Sequence, residues 1–330
     1  MARHFNRRFL GLFGATFVAR AVAALGNFLL LVALAQFHGN HVLGQFSLGL
    51  SILVGGATVA RLGSDMSVLR HGSIAWAARD RARVLGLRHQ AQSLTLGLSL
   101  GLSIFLFLAA EPIASSVLNK PDMVPVLRAS AVVLLVFPLV FLQSAWLKAS
   151  GLPQLSPLAE MGGGAFLAAG VVTVLHFTGV RLQAPGLILI FGATTLTILI
   201  AGSWIWRRRM DAEFGPDDNQ VVRSYEPTFF KSLPDYALPS LMTFFTNWGV
   251  IVLAGMYVNY EQVAALTVAL RVVLLVHTAS TVIMAITVPR FGPLHAAKRL
   301  KELEAMVHRA TLLSIMLGGP IALSMIVAPG

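Results

Sequence analysis

The sequence predicts an all-α, polytopic transmembrane protein built as a parallel repeat of six-helix bundles. Three observations carry this. The chain of 330 residues is 56% hydrophobic and only 12% charged, against about a quarter charged in soluble domains. Its charges cluster between apolar blocks long enough to cross a bilayer. A stretch near residue 27 also returns near residue 247.

A spanning helix needs about 20 apolar residues. On that ruler nine spans are expected, at 9–37, 42–64, 91–110, 127–147, 157–178, 185–206, 236–258, 262–288 and 306–328. The first is over-long and should tilt or kink near Gly26. The second should continue as a bent amphipathic piece through SDMSVLRHGSIAW. The basic start, MARHFNRRF, precedes an apolar run too long for a signal peptide and reads as a retained first helix.

Placing the N-terminus in the cytoplasm puts 20 of the 25 Lys and Arg on the cytoplasmic side and three outside: Lys120, Arg128 and Arg181. The remaining two, Arg20 and Arg271, fall inside spans. That asymmetry follows the positive-inside rule. It also accounts for the net charge of +11 without nucleic acid as a partner. The absence of cysteine excludes disulfides, thiol catalysis and Cys-ligated metals.

The inter-span segments are short apart from Trp206 to Pro227, a polar stretch with Gly, Pro and the acidic pair Asp217-Asp218. The expected domains are a six-helix bundle over 1–206, a cytoplasmic linker over 207–233, and the first three helices of a second bundle over 234–330. NFLLLVALAQFHGNHVLGQFSLGL from Asn27 aligns without a gap on NWGVIVLAGMYVNYEQVAALTVAL from Asn247, at an offset of 220. A six-helix unit is even, so the second copy enters the membrane in the same sense as the first. Transporters built from such repeats hold substrate between halves, near the midplane. By the same repeat, VAPG at the end matches AAEPI after the third span, so a C-terminal truncation of about three helices is expected.

Arg20 and Arg271 are the costly residues. At 1.5 Å per residue they lie roughly 16 and 14 Å from their span ends, near the middle of a ~30 Å core. An arginine there costs about 2.5–3.5 kcal/mol on insertion scales. No Asp or Glu is placed clearly inside a span; Asp65, Glu160 and Asp235 sit at or beyond span ends. An anionic ligand is one way to offset the arginines, because guanidinium pairs bidentately with phosphate. Snorkelling, backbone carbonyls or, for Arg271, a packed contact with Asp235 are the others. Asn27 and Asn247 are candidates for lining the same cavity or for interhelical hydrogen bonds. Arg70 and Lys148 are candidates for headgroup attraction or simple positive-inside anchors. His277 is a candidate proton carrier or a packing histidine. The triplet Gly162–Gly164 suits close helix packing. No pattern of catalytic or metal-binding residues stands out, so neither an enzyme nor a cofactor is expected.

The stretches LALAQFHGNHVLGQFSLGLSIL, LKASGLPQLSPLAEM, WGVIVLAGMYVNYEQVAALTVALRV and MAITVPRFGPL together resemble the polysaccharide-transporter branch of the multidrug/oligosaccharidyl-lipid/polysaccharide (MOP) exporter superfamily. That branch includes the O-antigen and lipid-linked oligosaccharide flippases. The resemblance implies an inner-membrane flippase working by alternating access. Its substrate would be an undecaprenyl-pyrophosphate-linked oligosaccharide for surface polysaccharide such as O-antigen, capsule or exopolysaccharide. Its partners would be that lipid, membrane lipids, and the polymerase and other polysaccharide-assembly proteins. The chain lacks the arginine-rich signature after the first hairpin expected of a lipid II flippase. Alternatives are a multidrug/cation antiporter, which wants an intramembrane carboxylate, and a membrane glycosyltransferase or ligase, which wants a large outer loop.

Overall fold

The computed structural model describes residues 2–215 and 225–271, with isolated positions beyond, and the side chains from Gly14 onward. Among the described residues there are helices and turns and no strands. Among the described residues, six helical segments are long and apolar enough to cross a membrane. They are α1 (Gly14–Arg61, its helix starting at Ala2), α2 (Arg81–Leu108), α3 (Pro121–Ala149), α4 (Leu158–Phe177), α5 (Ala184–Phe214) and α6 (Pro227–Tyr257). A further helix covers 260–271. Two compact units are formed, Met1–Ala265 and Leu266–Gly330.

α1 contains the first two expected spans. Its helical geometry fails at Gly39, with φ 83 and ψ 166, a conformation that glycine reaches without a Cβ clash. The break is not at Gly26, where a kink was expected. Gly26 is helical and serves contact instead: a Cβ there would come within 2.8 Å of the Gly162 carbonyl and the Phe166 side chain. The missing side chains let the first arm of α1 lie against α4.

Each later segment has a local cause. In α2, the Asp80 carboxylate accepts from the Arg83 amide at 3.0 Å and caps the first turn. α3 opens on Pro121 and is interrupted at 135–136, ahead of Pro138, whose missing N–H cannot continue the ladder. α5 starts with Pro185 in its first turn and ends at Gly215, with φ 84. It runs eight residues past the expected span because Trp206 and Met210 remain buried. α6 starts nine residues early, anchored by fully buried Phe229. Helix therefore occupies 207–214 and 227–233 of the stretch assigned to the linker. The amphipathic piece after the second span is present as an elbow of short helices over Ser64–Ala77.

The core at the arginine-rich end is aromatic. Trp206 lies 6.3 Å from Trp76 and 5.8 Å from Trp146, ring centre to ring centre. Further along, α1 meets α4 through small residues. A Cβ on Gly162 would sit 2.1 Å from the Ala23 Cβ. Gly162→Ala should therefore push the two helices apart and cost about 1–3 kcal/mol. A melting curve in detergent that matches wild type would contradict this contact.

The repeat is visible in geometry. The helical break at Gly39 has a counterpart at 258–259, between α6 and the next helix, which is the same 220-residue offset. The second arm of α1 and α6 run antiparallel in close contact. Along that line a Cβ on Gly63 would strike Tyr236 at 2.6 Å, on Gly55 Phe244 at 2.7 Å, on Gly255 Leu48 at 2.6 Å, and on Gly44 the Tyr260 carbonyl at 2.0 Å. Small residues on one helix facing large ones on the other allow this approach in a membrane, where packing drives association.

Candidate functional site

Arg20 is exposed on the first arm of α1 and makes no hydrogen bond or ion pair with the described residues. Ala19, Ala23, Gly26 and Leu30 are buried along one side of that arm, where Ala23 and Gly26 pack against Gly162 and Phe166 of α4. Arg20 lies about a quarter turn away from them. Asn27 is seven residues later, so it shares the Arg20 face about 10 Å along the axis. This arm thus presents one polar stripe on an apolar helix.

Asn27 donates to the Ala23 carbonyl at 2.9 Å, and Asn247 donates to the Thr243 carbonyl at 2.9 Å. Neither bond is interhelical. Both are the same four-residue back-bond at repeat-related positions, and each leaves its amide oxygen for another partner. Asn247 lies in a π-helical turn, Phe245–Gly249, while its counterpart is α-helical. Such turns are frequent at functional sites.

Arg271 is half-buried in the last turn of the described helix, in the second unit, and is engaged by neighbours. His277 lies outside the described residues. Lys148 donates to Glu160 at 2.7 Å, and Ser144 donates to the same oxygen at 2.7 Å. That charge is already met by a carboxylate, which weakens any pull on headgroups. Arg61 binds Asp65 at 2.5 Å and lies 4.1 Å over the Phe141 ring, so this pair is neutralised too. Asp235 is exposed on α6, beside Tyr236, whose hydroxyl accepts from Arg70 at 3.3 Å.

Polar clasps hold α6 at both ends. At the arginine-rich end, Ser67 and Ser232 hydroxyls meet at 2.8 Å and Arg83 binds Glu226 at 2.5 Å. The hydrogen bond from Thr228, then that from Arg83, hold the Glu226 carboxyl below its ordinary value of 4.5, against the opposing effect of burial. A lowered carboxylate value stabilises the fold above the ordinary one and is lost as pH falls through the folded one. Glu226→Gln should therefore lower stability by about 1–2 kcal/mol at pH 7, measured by thermal melting, and the difference should begin to shrink as pH falls past 4.5 and vanish once the carboxyl is protonated in the fold. A gap that persists in acid would contradict the assignment.

At the other end Asp122 accepts from Tyr260 at 2.6 Å and from Gln45 at 2.8 Å. Lys120 donates to the Val258 carbonyl at 2.9 Å. Burial first, then the Asp122 carboxylate, push the Tyr260 phenol up, so it remains a donor throughout the physiological range. This clasp was not legible in sequence: its contacts join residues 77 to 138 apart.

No protein-family model and no curated protein matches the sequence. Among solved structures, the chain is similar to an inward-facing multidrug resistance MATE family transporter of the MOP superfamily. The TM-score is 0.60 at 16% identity, over 93% of this chain and 69% of that one. The fold is MATE-like. At that identity the likeness speaks to architecture. It agrees with the parallel repeat read from Asn27 and Asn247, and with a chain that crosses a membrane several times.

Proposed function

We propose that the chain is a membrane transporter of the flippase type. It translocates an undecaprenyl-pyrophosphate-linked oligosaccharide across the bacterial inner membrane by alternating access, with its N-terminus in the cytoplasm. The single observation that carries this reading is Arg20: a permanent cation in an apolar helix, without a partner among the described residues and on one face with Asn27. A pyrophosphate offers oxygens in the geometry a guanidinium prefers. The MATE-like fold supports transport, since folds of this repeat type place substrate between halves.

On this reading 1–206 and 234–330 belong to the two repeats, joined through 207–233. Arg271, Asn247 and Asn27 join Arg20 in lining the path, and polysaccharide-assembly enzymes on either side are the partners. The chain transports and does no covalent chemistry. The test is replacement of Arg20, with lipid-linked glycan and surface polymer as readouts.

The alternative reading, a multidrug/cation antiporter, would need a carboxylate within a span, and Asp235 at the start of one is the residue to test for it. Asp235 is an exposed carboxylate on α6 with no ion pair among the described residues. Under that reading Asp235→Asn would raise drug sensitivity and leave surface polysaccharide intact. Under the flippase reading drug sensitivity does not change.

A further inference from the structure

A cavity of about 460 Å³ opens between the first turns of α2 and the end of α5. Three of its lining residues are arginines, Arg81, Arg88 and Arg207, against one carboxylate, Asp211. The other nearby acid, Glu213, is taken by Arg79 at 3.2 Å and Arg209 at 3.5 Å. Clustered arginines at the basic end of a membrane protein usually need no ligand. Here the detail of Arg88 and Trp206 argues otherwise.

Arg88 is held in place. Its guanidinium lies 3.8 Å over the Trp206 ring, and its Nη2 donates to the Gln143 Oε1 at 3.2 Å. Gln143 is itself fixed, donating to the Gly202 carbonyl at 2.9 Å and accepting from Ser203 at 3.3 Å. Arg81 is anchored on the end of α5, donating to the Gly215 carbonyl at 3.3 Å. Two donors on the cavity's lining residues have no partner although buried: Nη1 of Arg88 and Nε1 of Trp206. A buried unmet donor costs about 1–3 kcal/mol, more when charged. An acceptor-only anion would satisfy both. We propose that this cavity binds a phosphate group, independently of the transport path.

Two sources can supply that phosphate: the phosphodiester of an anionic phospholipid, or a soluble phosphate compound. The surroundings suit a lipid. Beyond the cavity α2 exposes Leu96, Leu100 and Ile104, and α5 exposes Leu196 and Ile200, an apolar track for acyl chains. Arg208 over Trp204 at 3.7 Å has the character of an interfacial anchor.

The experiment uses the full chain purified in neutral detergent. Thermal unfolding is followed with added phosphatidylglycerol, with phosphatidylcholine as control, and separately with inorganic phosphate against chloride at equal ionic strength. Wild type is compared with Arg88→Gln and with Arg207→Gln, the latter an exposed position that should not disturb folding. We expect stabilisation of wild type by several degrees with phosphatidylglycerol, phosphate or both, and its reduction at least about threefold in each variant. Response to the lipid alone assigns a headgroup site; response to phosphate alone assigns a soluble ligand. No stabilisation of wild type by either, or equal stabilisation of Arg207→Gln, overturns the proposal.

Discussion

Arg20→Ala is expected to abolish translocation of lipid-linked glycan while the protein still reaches the membrane. The two halves of this expectation have opposite physical signs. Removing an arginine from an apolar helix relieves an insertion cost of about 2.5–3.5 kcal/mol, so membrane yield should hold or rise. Losing a desolvated, hydrogen-bonded charge pair with pyrophosphate costs about 2–5 kcal/mol, a fall in substrate affinity of roughly 30-fold or more. Arg20→Lys keeps the charge and loses the planar fork, so it should fall between. The readouts are surface polymer and the lipid-linked pool, with membrane abundance measured on the same cells. Wild-type polymer in Arg20→Ala, at equal abundance, would remove the arginine from the path.

Locking the clasp at Tyr260 is expected to stop transport altogether. Alternating access requires the repeats' facing helices to separate at one end, and the contacts among Gln45, Asp122 and Tyr260 tie the 258–260 turn to the first half. His41 packs edge-on against Tyr260, 4.8 Å between ring centres. The sequence has no cysteine, so a His41→Cys, Tyr260→Cys pair can be bridged by a short bifunctional thiol reagent without background. Bridged protein should lose activity, and activity should return when a cleavable bridge is reduced. Asp122→Asn weakens the clasp by replacing a charge-assisted bond with a neutral one, about half as strong, and with Tyr260 retained it should make His41→Cys, beside the Tyr260 ring, more reactive to a water-soluble thiol reagent. Full activity of the bridged pair would show that the turn moves rigidly with the first half.

Much of the architecture was legible because a bilayer imposes it. Helix length, apolar blocks and the placement of lysine and arginine are read directly, and the seven spans up to 258 have helical counterparts in the structure. The repeat was legible through Asn27 and Asn247, whose matching back-bonds make the offset physical. The position of the first bend was not. Gly26 and Gly39 look alike in sequence, and what separates them is the neighbour: Gly162 packs on one, while the other is free to take a positive φ.

Partner choice was equally hidden. Lys148 and Glu160 are twelve residues apart across a turn, and Arg83 and Glu226 are separated by most of the first unit. Arg88 was absorbed into the positive-inside count, since nothing in sequence reveals that Trp206 lies under it and that one of its donors is left unmet. Sequence periodicity gives the faces of helices but not which distant side chain meets them.

The most direct test of the flippase reading is the sidedness of polyprenyl-linked glycan in cells lacking this protein. Lipid-linked glycan should accumulate on the cytoplasmic leaflet and surface polymer should be lost. Wild type should restore both, and Arg20→Ala should restore neither. An unchanged lipid-linked pool with raised drug sensitivity would contradict the account and favour the antiporter carrying Asp235.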